Sequence, residues 1–165
     1  MPSPESIRPG LAADLADASA IYDEQVRTGH ATFDVEPAPA STWRKLLGRT
    51  EPGDHFLVAD DDGDVVGFAY SSAYRPRPAY RFTRESTVYL AERARGRGLG
   101  RVLYDELLDR VRADGIHVVL AVVALPNPAS VALHEACGFE HAGTLREAGR
   151  KFDRWIDTAF YQLLL

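Results

Sequence analysis

The segment Arg95-Gly96-Arg97-Gly98-Leu99-Gly100 follows a strand-like run, Ser86 to Leu90, and opens a long stretch with helical spacing of apolar residues. Glycines at such a strand-to-helix turn let the backbone approach a ligand without an intervening Cβ. The N–H groups and positive dipole end of the helix start then favour phosphate, and a pyrophosphate is the natural guest. Two common phosphate-binding loops do not fit. A P-loop ends in Gly-Lys-Ser/Thr, and no Lys, Ser or Thr follows Gly100; a dinucleotide fingerprint reads G-x-G-x-x-G, whereas Gly96, Gly98 and Gly100 are spaced evenly by two. What remains is R-x-x-G-x-G, carried by Arg95, Gly98 and Gly100.

That pattern resembles the acetyl-CoA pyrophosphate loop of the GNAT N-acetyltransferases, and Val88-Tyr89-Leu90 resembles their cofactor-facing strand. Further blocks stand in the same order: Ala31-Thr32-Phe33, Glu36-Pro37, Glu85-Ser86-Thr87-Val88-Tyr89, Leu125-Pro126-Asn127, Leu133-His134-Glu135-Ala136, Gly143-Thr144-Leu145-Arg146 and Trp155-Ile156-Asp157. Together they are similar to the phosphinothricin N-acetyltransferase branch of that superfamily, over roughly the whole chain from Ile7 to Leu165. The resemblance implies an α/β (α+β) GNAT fold: a mixed, mostly antiparallel central sheet with splayed middle strands, flanked by helices. It implies acetyl-CoA as cosubstrate and no metal. Val88, Tyr89, Leu90, Arg95, Gly96, Arg97, Gly98, Leu99, Gly100, Asn127 and Ser130 are its expected contacts. Pantetheine is expected to insert between the splayed strands, with Asn127 helping there. Asn127 between Pro126 and Pro128 is also ordinary turn chemistry.

Composition is consistent with one compact enzyme domain over residues 1–165. At 165 residues and 45% hydrophobic, the chain can bury a sizeable core. Its single Cys, Cys137, excludes an internal disulfide framework and a cysteine-rich metal site. Met1-Pro2-Ser3-Pro4-Glu5-Ser6 lacks the basic and apolar regions of a secretory leader, and no apolar run approaches the roughly 20 residues that cross a bilayer. A cytoplasmic location is expected. The net charge of -5 gives no general attraction for nucleic acid.

Periodicity places the elements. Ile7-Arg8 reads as a short strand. Asp14 is placed to cap a helix with Leu15, Ala18, Ile21, Tyr22 and Val26 on one face, stopped by Gly29; Ser41 is placed to cap a second with Trp43, Leu46 and Leu47. Phe56 to Ala59 and Val65 to Tyr70 flank the turn Asp60-Asp61-Asp62-Gly63. Leu99, Leu103, Leu107 and Val111 line a helix ended by Gly115. His117 to Leu125 is apolar on both faces and reads as a buried central strand. Ser130 to Cys137 reads as a helix closed by Gly138, and Gly149 to Trp155 as a turn feeding a last strand, Ile156 to Leu164.

The chemistry follows from the resemblance. An ammonium has no lone pair to attack a thioester, so a base must remove a proton. Glu85, at the start of its strand, is the implied general base, directly or through water. Arg84 alternates to the opposite strand face. His134 stands where many relatives carry a tyrosine that protonates the departing thiolate. It is a candidate proton relay or cofactor contact, with a structural histidine as the alternative. Cys137 is not needed as a nucleophile, so direct transfer in a ternary complex is expected, with a backbone N–H near Leu90 polarising the carbonyl.

In an acidic chain, Arg75, Arg77, Arg81 and Arg84 cluster beside Tyr74 and Tyr80. Guanidinium groups suit carboxylate and phosphinate oxygens, so Arg75, Arg77, Tyr80, Arg81 and Thr83 are candidate acceptor contacts, as against a merely solvated loop. Phe33 is a candidate pocket wall or a core aromatic. The expected acceptor is phosphinothricin or a related amino acid such as methionine sulfoximine or sulfone. Another small primary amine and a CoA-binding sensor without turnover stay open. A homodimer is implied, with Trp155 and Phe160 as interface anchors or core residues.

Overall fold

The computed structural model describes residues 7–165; the stretch Met1 to Ser6 read above for a leader lies outside the described residues. The strands are β1 (Ile7–Pro9), β2 (His55–Asp61), β3 (Asp64–Ala73), β4 (Thr83–Leu90), β5 (Val118–Ala124), β6 (Glu140–Lys151) and β7 (Arg154–Leu164). The α-helices are α1 (Leu15–Thr28), α2 (Ala40–Leu47), α3 (Leu99–Ala113) and α4 (Pro128–Ala136). The described strands form one sheet in the order β1-β2-β3-β4-β5-β7-β6, antiparallel throughout except between β4 and β5. The expected mixed, mostly antiparallel sheet is present.

Alternation along the strands builds a layer on each face. Phe56 and Val58 of β2 point to α1 and α2, packing with Leu15, Ala18, Ile21, Trp43 and Phe68. Leu57 and Ala59 point the other way, to the apolar stripe of α3 formed by Leu99, Leu103, Leu107 and Val111. The latter four residues are buried, as the spacing of the sequence predicts.

The parallel pair decides where the site lies. β4 and β5 are in register only from Thr83↔Val118 to Glu85↔Leu120. Beyond Glu85 the strands part, so Ser86 to Leu90 and Ala121 to Ala124 face each other with no ladder between them. This is the expected splay. On its far side β4 stays paired with β3 as far as Gly67↔Leu90, and β5 with β7 as far as Ala124↔Thr158. The gap is therefore held open by two complete antiparallel sub-sheets.

Local capping differs from the expectation at two helix starts, and a third helix begins earlier than read. The Asp14 carboxylate makes no cap bond to α1. It accepts instead from Arg8 Nη1 at 2.7 Å, Arg8 Nη2 at 2.9 Å and the Leu11 N–H at 2.7 Å, so the guanidinium outcompetes the helix start for its oxygens. Ser41 lies inside α2, whose start follows Pro39. Ser130 lies inside α4, and Asn127 is its cap, accepting from the Ser130 N–H at 3.1 Å.

Strand readings change in two places. β5 buries Val119, Ala121 and Val123, but Val122 on the opposite face is 38% exposed. The second apolar face lines a cavity, which is why the strand reads as buried on both sides. Glu140 to Lys151, not read as a strand from sequence, is the edge strand β6. It is mostly exposed, and its pairing with β7 slips between Leu145 and Gly149. The segment Gly149 to Trp155 is therefore two strand ends joined at a tight turn, Phe152-Asp153, with φ of 51° and 56°.

Candidate active site

A cavity of about 750 Å³ fills the opening between β4 and β5. Of the residues expected to contact cofactor or acceptor, Phe33, Glu85, Val88, Tyr89, Leu90, Arg95, Gly96, Gly98, Gly100, Asn127, Ser130 and His134 line it. Arg97 and Leu99 do not. Arg97 reaches outward to Asp61 at 2.9 Å, and Leu99 is buried in the core beneath α3.

At one end the wall is backbone. Gly98 is the residue preceding α3 and has φ of 79°, a conformation that costs a side-chain-bearing residue free energy. No side chain caps the helix, so the first amide groups of α3 remain available at the cavity. Arg95 Nε and Nη2 both donate to the Leu90 carbonyl at 3.3 Å, folding the loop back onto the end of β4. Arg101, which sequence reasoning passed over, also lines this end. Its guanidinium donates to Asp105 at 2.6 Å and to the Ala136 carbonyl, tying α3 to α4. Its place one residue after Gly100 was the available signal. Free amides, a helix start and two guanidinium groups suit a pyrophosphate.

The middle of the cavity is apolar on one side, with Val122, Val123 and Ala124 of β5 facing Val88 and Leu90 of β4. His134 stands at the α4 wall and is 5% exposed. Its Nδ1 lies 2.7 Å from the Ser130 carbonyl, which can only accept, so Nδ1 carries the proton and Nε2 is the bare nitrogen. Burial lowers its pKa, against a smaller raising effect of that carbonyl. The ring packs edge-on against Tyr104 and Phe139. Cys137 packs against the same core, and burial pushes its thiol up to about 12. It is a poor nucleophile there.

The other end is built from side chains. Glu85 is half-buried, the third residue of β4 rather than its first, and burial raises its carboxyl above the ordinary glutamate range. Arg84 points to the opposite face as expected, where it is buried and pairs with Asp54 at 3.7 Å and with the Pro52 carbonyl. Tyr22, Gln25, Thr32 and Tyr70 complete the wall around Glu85 and Phe33. None of these four was singled out as a site residue from the sequence, because they come from α1, the loop after it and β3, which only the fold brings beside Glu85. Tyr22 Oη donates to Asp34 at 2.6 Å and sits 2.6 Å from Thr32 Oγ1. Tyr89 Oη donates to the Ala31 carbonyl at 3.2 Å. Arg75, Arg77, Tyr80, Arg81 and Thr83 lie outside the cavity lining, the first four on the exposed loop that leads into β4 and Thr83 as the first residue of that strand. Arg75 stacks on Tyr74 and Arg81 on Phe82.

Among the described residues no cluster of His, Cys, Asp and Glu is arranged to hold a metal ion, and no helix is long and apolar enough to cross a membrane. Residues 18–139 match the acetyltransferase (GNAT) family. Over 160 residues the chain is 42% identical to a phosphinothricin N-acetyltransferase of Streptomyces coelicolor, covering 94% of each protein. It is 38% identical over 162 residues to an L-methionine sulfoximine/L-methionine sulfone acetyltransferase of Pseudomonas aeruginosa, covering 97% of this chain and 94% of the relative. The crystal structure of a phosphinothricin acetyltransferase from Sinorhizobium meliloti in complex with acetyl-CoA superposes with a TM-score of 0.92 at 42% identity, covering 96% of this chain and 87% of that one. The Gly98 loop, the splayed strands and a family match spanning most of the chain agree, and the protein belongs to the GNAT acetyltransferase family.

Proposed function

We propose that this protein transfers the acetyl group of acetyl-CoA to the α-amine of a small amino acid with a second polar end, of the phosphinothricin or methionine sulfoximine and sulfone type. The observation that carries the reading is the continuity of one cavity from the free amides of α3, between the unpaired edges of β4 and β5, to the carboxylate of Glu85. The names of the relatives support the substrate class.

The residues present fit the cosubstrate. The amides at the start of α3, with Arg95 and Arg101, hold its diphosphate. The β5-side edge of Val88 to Leu90, which has no ladder partner, holds its arm together with the α4 cap Asn127 and Ser130 of the first turn. When bound, acetyl-CoA supplies an acetyl group activated as a thioester. Glu85 takes the proton of the acceptor ammonium, directly or through one water, and its raised pKa brings it closer to that task. Transfer is direct, in a ternary complex, because the only thiol of the chain is held protonated in packing. A neutral His134 with its Nδ1–H committed to Ser130 has no spare proton to donate, so we assign it to orienting the α4 wall.

At the acceptor end Phe33 walls the site; Arg75, Arg77, Tyr80 and Arg81, on the loop before β4, and Thr83, its first residue, stand beyond the cavity lining at the Glu85 end of β4 and are the groups assigned to the anionic or strongly polar end of the amino acid. The enzyme acts in the cytoplasm as a homodimer. Trp155 is 59% exposed beside the stacked Arg150 and is suited to a contact with a second copy.

The test is thiol release from acetyl-CoA with phosphinothricin, methionine sulfoximine, methionine sulfone and amines lacking an α-carboxylate. Release is expected with the amino acids. Tight acetyl-CoA binding without turnover of any amine would replace the reading with a CoA-binding sensor, and turnover of the simple amines alone would sink the substrate class.

A further inference from the structure

One buried cation lies behind the acceptor end. Lys151, the last residue of β6, is 4% exposed. Its ammonium donates to the Thr32 carbonyl at 2.9 Å and to the Gln25 carbonyl at 3.3 Å. Gln25 is in the last turn of α1, and the same carbonyl accepts the Gly29 N–H at 3.0 Å. A cation there meets the negative end of the helix dipole. Thr32 is in the following loop, so a single charge from the far edge of the sheet joins the end of α1 to the segment that carries Phe33. Burying an ammonium is costly unless its donors are paired, and here two of them are spent on backbone carbonyls of the α1 end and the loop after it.

A second contact lies on the same face of β6. A Cβ built on Gly149, two residues before Lys151, would overlap the edge of the Phe33 ring. Glycine at this position makes a seat into which the ring settles against bare backbone. The loop is held elsewhere too: His30 Nε2 is 2.8 Å from the Pro126 carbonyl, and Tyr89 Oη donates to Ala31. Those bonds fix the loop near the start of α4 and the middle of the cavity. Lys151 and Gly149 fix the part that carries Phe33, which lines the cavity together with Glu85.

We propose that Lys151 is a positioning residue for the acceptor: with the Gly149 seat it clasps residues 29–34 to the terminal hairpin and so sets the place of Phe33 in the wall of the cavity that Glu85 also lines. This rests on the acetyl-transfer reading above. The clasp reaches no part of the Gly98 end of the cavity, so its loss acts on the amine and spares the cosubstrate.

Two variants, Lys151→Met and Lys151→Arg, separate the charge and its donors from the aliphatic stem. Lys151→Met is expected to raise the acceptor KM on the order of tenfold, the effect of leaving two buried carbonyls without a charged donor, with the acetyl-CoA KM unchanged. Lys151→Arg is expected to restore part of the loss. Because the effect runs through Phe33, Lys151→Met combined with Phe33→Ala is expected to be no worse than the poorer single variant. Additive losses, or a folded Lys151→Met with the parent's acceptor KM, would overturn the proposal. Hydrogen exchange of the amides of residues 29–34 gives a readout independent of turnover: it is expected to speed up in Lys151→Met while the start of α3 is unchanged. Unchanged exchange at 29–34 overturns the clasp. If the parent releases no thiol with any amine, the acetyl-transfer reading has failed, and the exchange result still decides the clasp. Should Lys151→Met not fold, Gly149→Ala displaces the same ring without touching the ammonium. It is expected to raise the acceptor KM alone, and a parent-like value overturns the seat.

Discussion

The two ends of the cavity are made in different ways. The α3 end is backbone: residues 95–100 supply a turn, two left-handed glycines and the free amides of one helix, all within six consecutive positions. The Glu85 end is side chains drawn from α1, the loop after it, β3 and β4, and it is braced from β6. A site made of local backbone tolerates change nearly everywhere except at the few residues that set its φ and ψ. A site assembled from distant side chains depends on the ties that hold those segments together. The first kind is suited to a cosubstrate shared by many enzymes, the second to an acceptor that differs among them.

The largest effect expected to sharpen this contrast is on turnover. Glu85→Gln keeps shape but removes proton acceptance. It is expected to lower kcat at neutral pH by about 100- to 10,000-fold with acetyl-CoA affinity intact, and to recover in part at higher pH, where more of the amine is already free. Unchanged kcat from pH 6.5 to 9 would exclude Glu85 as the base. The same substitution tests the burial of the carboxylate. A folded-state pKa above the unfolded one means that Glu85 favours the fold while protonated, and that this contribution is lost as pH rises through the folded pKa. At pH 7.5 Glu85→Gln is therefore expected to melt above the parent, with the gap closing in acid.

Next in size is Gly98→Val, which acts at the opposite end. A β-branched side chain at φ of 79° is strained, and losing amide bonds to a charged oxygen costs roughly 1.5 to 3 kcal/mol each. The dissociation constant for acetyl-CoA is expected to rise tenfold or more in the folded variant, with calorimetry as the measurement. Parent-like affinity would remove the phosphate role of the loop. Smaller again is Arg77→Ala, or Arg75→Ala, on the exposed loop. The acceptor KM is expected to rise roughly five- to tenfold, as suits a solvent-accessible guanidinium, and the acetyl-CoA KM to stay put. Equal effects on both would break the division of labour between the two ends.

The smallest effect concerns the hairpin that carries Lys151. Asp153 has φ of 56° in its turn. The left-handed conformation costs an ordinary residue about 1 to 2 kcal/mol, of which the extra chain entropy of glycine returns about half. Asp153→Gly is expected to stabilise the protein by about 0.5 to 1 kcal/mol, read as an increased denaturant midpoint. A drop would mean that the turn depends on its exposed carboxylate.

The same difference explains what could be read from sequence. The α3 loop, the stripe Leu99-Leu103-Leu107-Val111 and the hairpin after Ala59 are short-range patterns, and each stands where the spacing puts it. Glu85 and Phe33 were within reach because both belong to contiguous blocks. Tyr22 and Tyr70 were not, since a helix-face tyrosine and a strand tyrosine look like core until the fold brings them beside Glu85. β6 was missed because an exposed edge strand with Gly143 and Gly149 and a slipped register has no alternation to detect. Asp14 was assigned to the helix start because nothing local shows that Arg8, six residues earlier, binds it more strongly.

The three-pair ladder between β4 and β5 has a consequence for the molecule as a mechanical object. Strands β1 to β4 zip together through neighbours, as do β5, β7 and β6, so the sheet is two slabs, backed by the core under α3, that meet along a seam stitched by hydrogen bonds for three residue pairs and open for the rest. A ligand lodged in that seam bridges the slabs where hydrogen bonds between them are missing, and binds only when they are correctly apposed. At a concentration 100 times its dissociation constant such a ligand adds about 2.7 kcal/mol to the free energy of unfolding. The melting temperature of this protein should therefore track the concentration of acetyl-CoA around it.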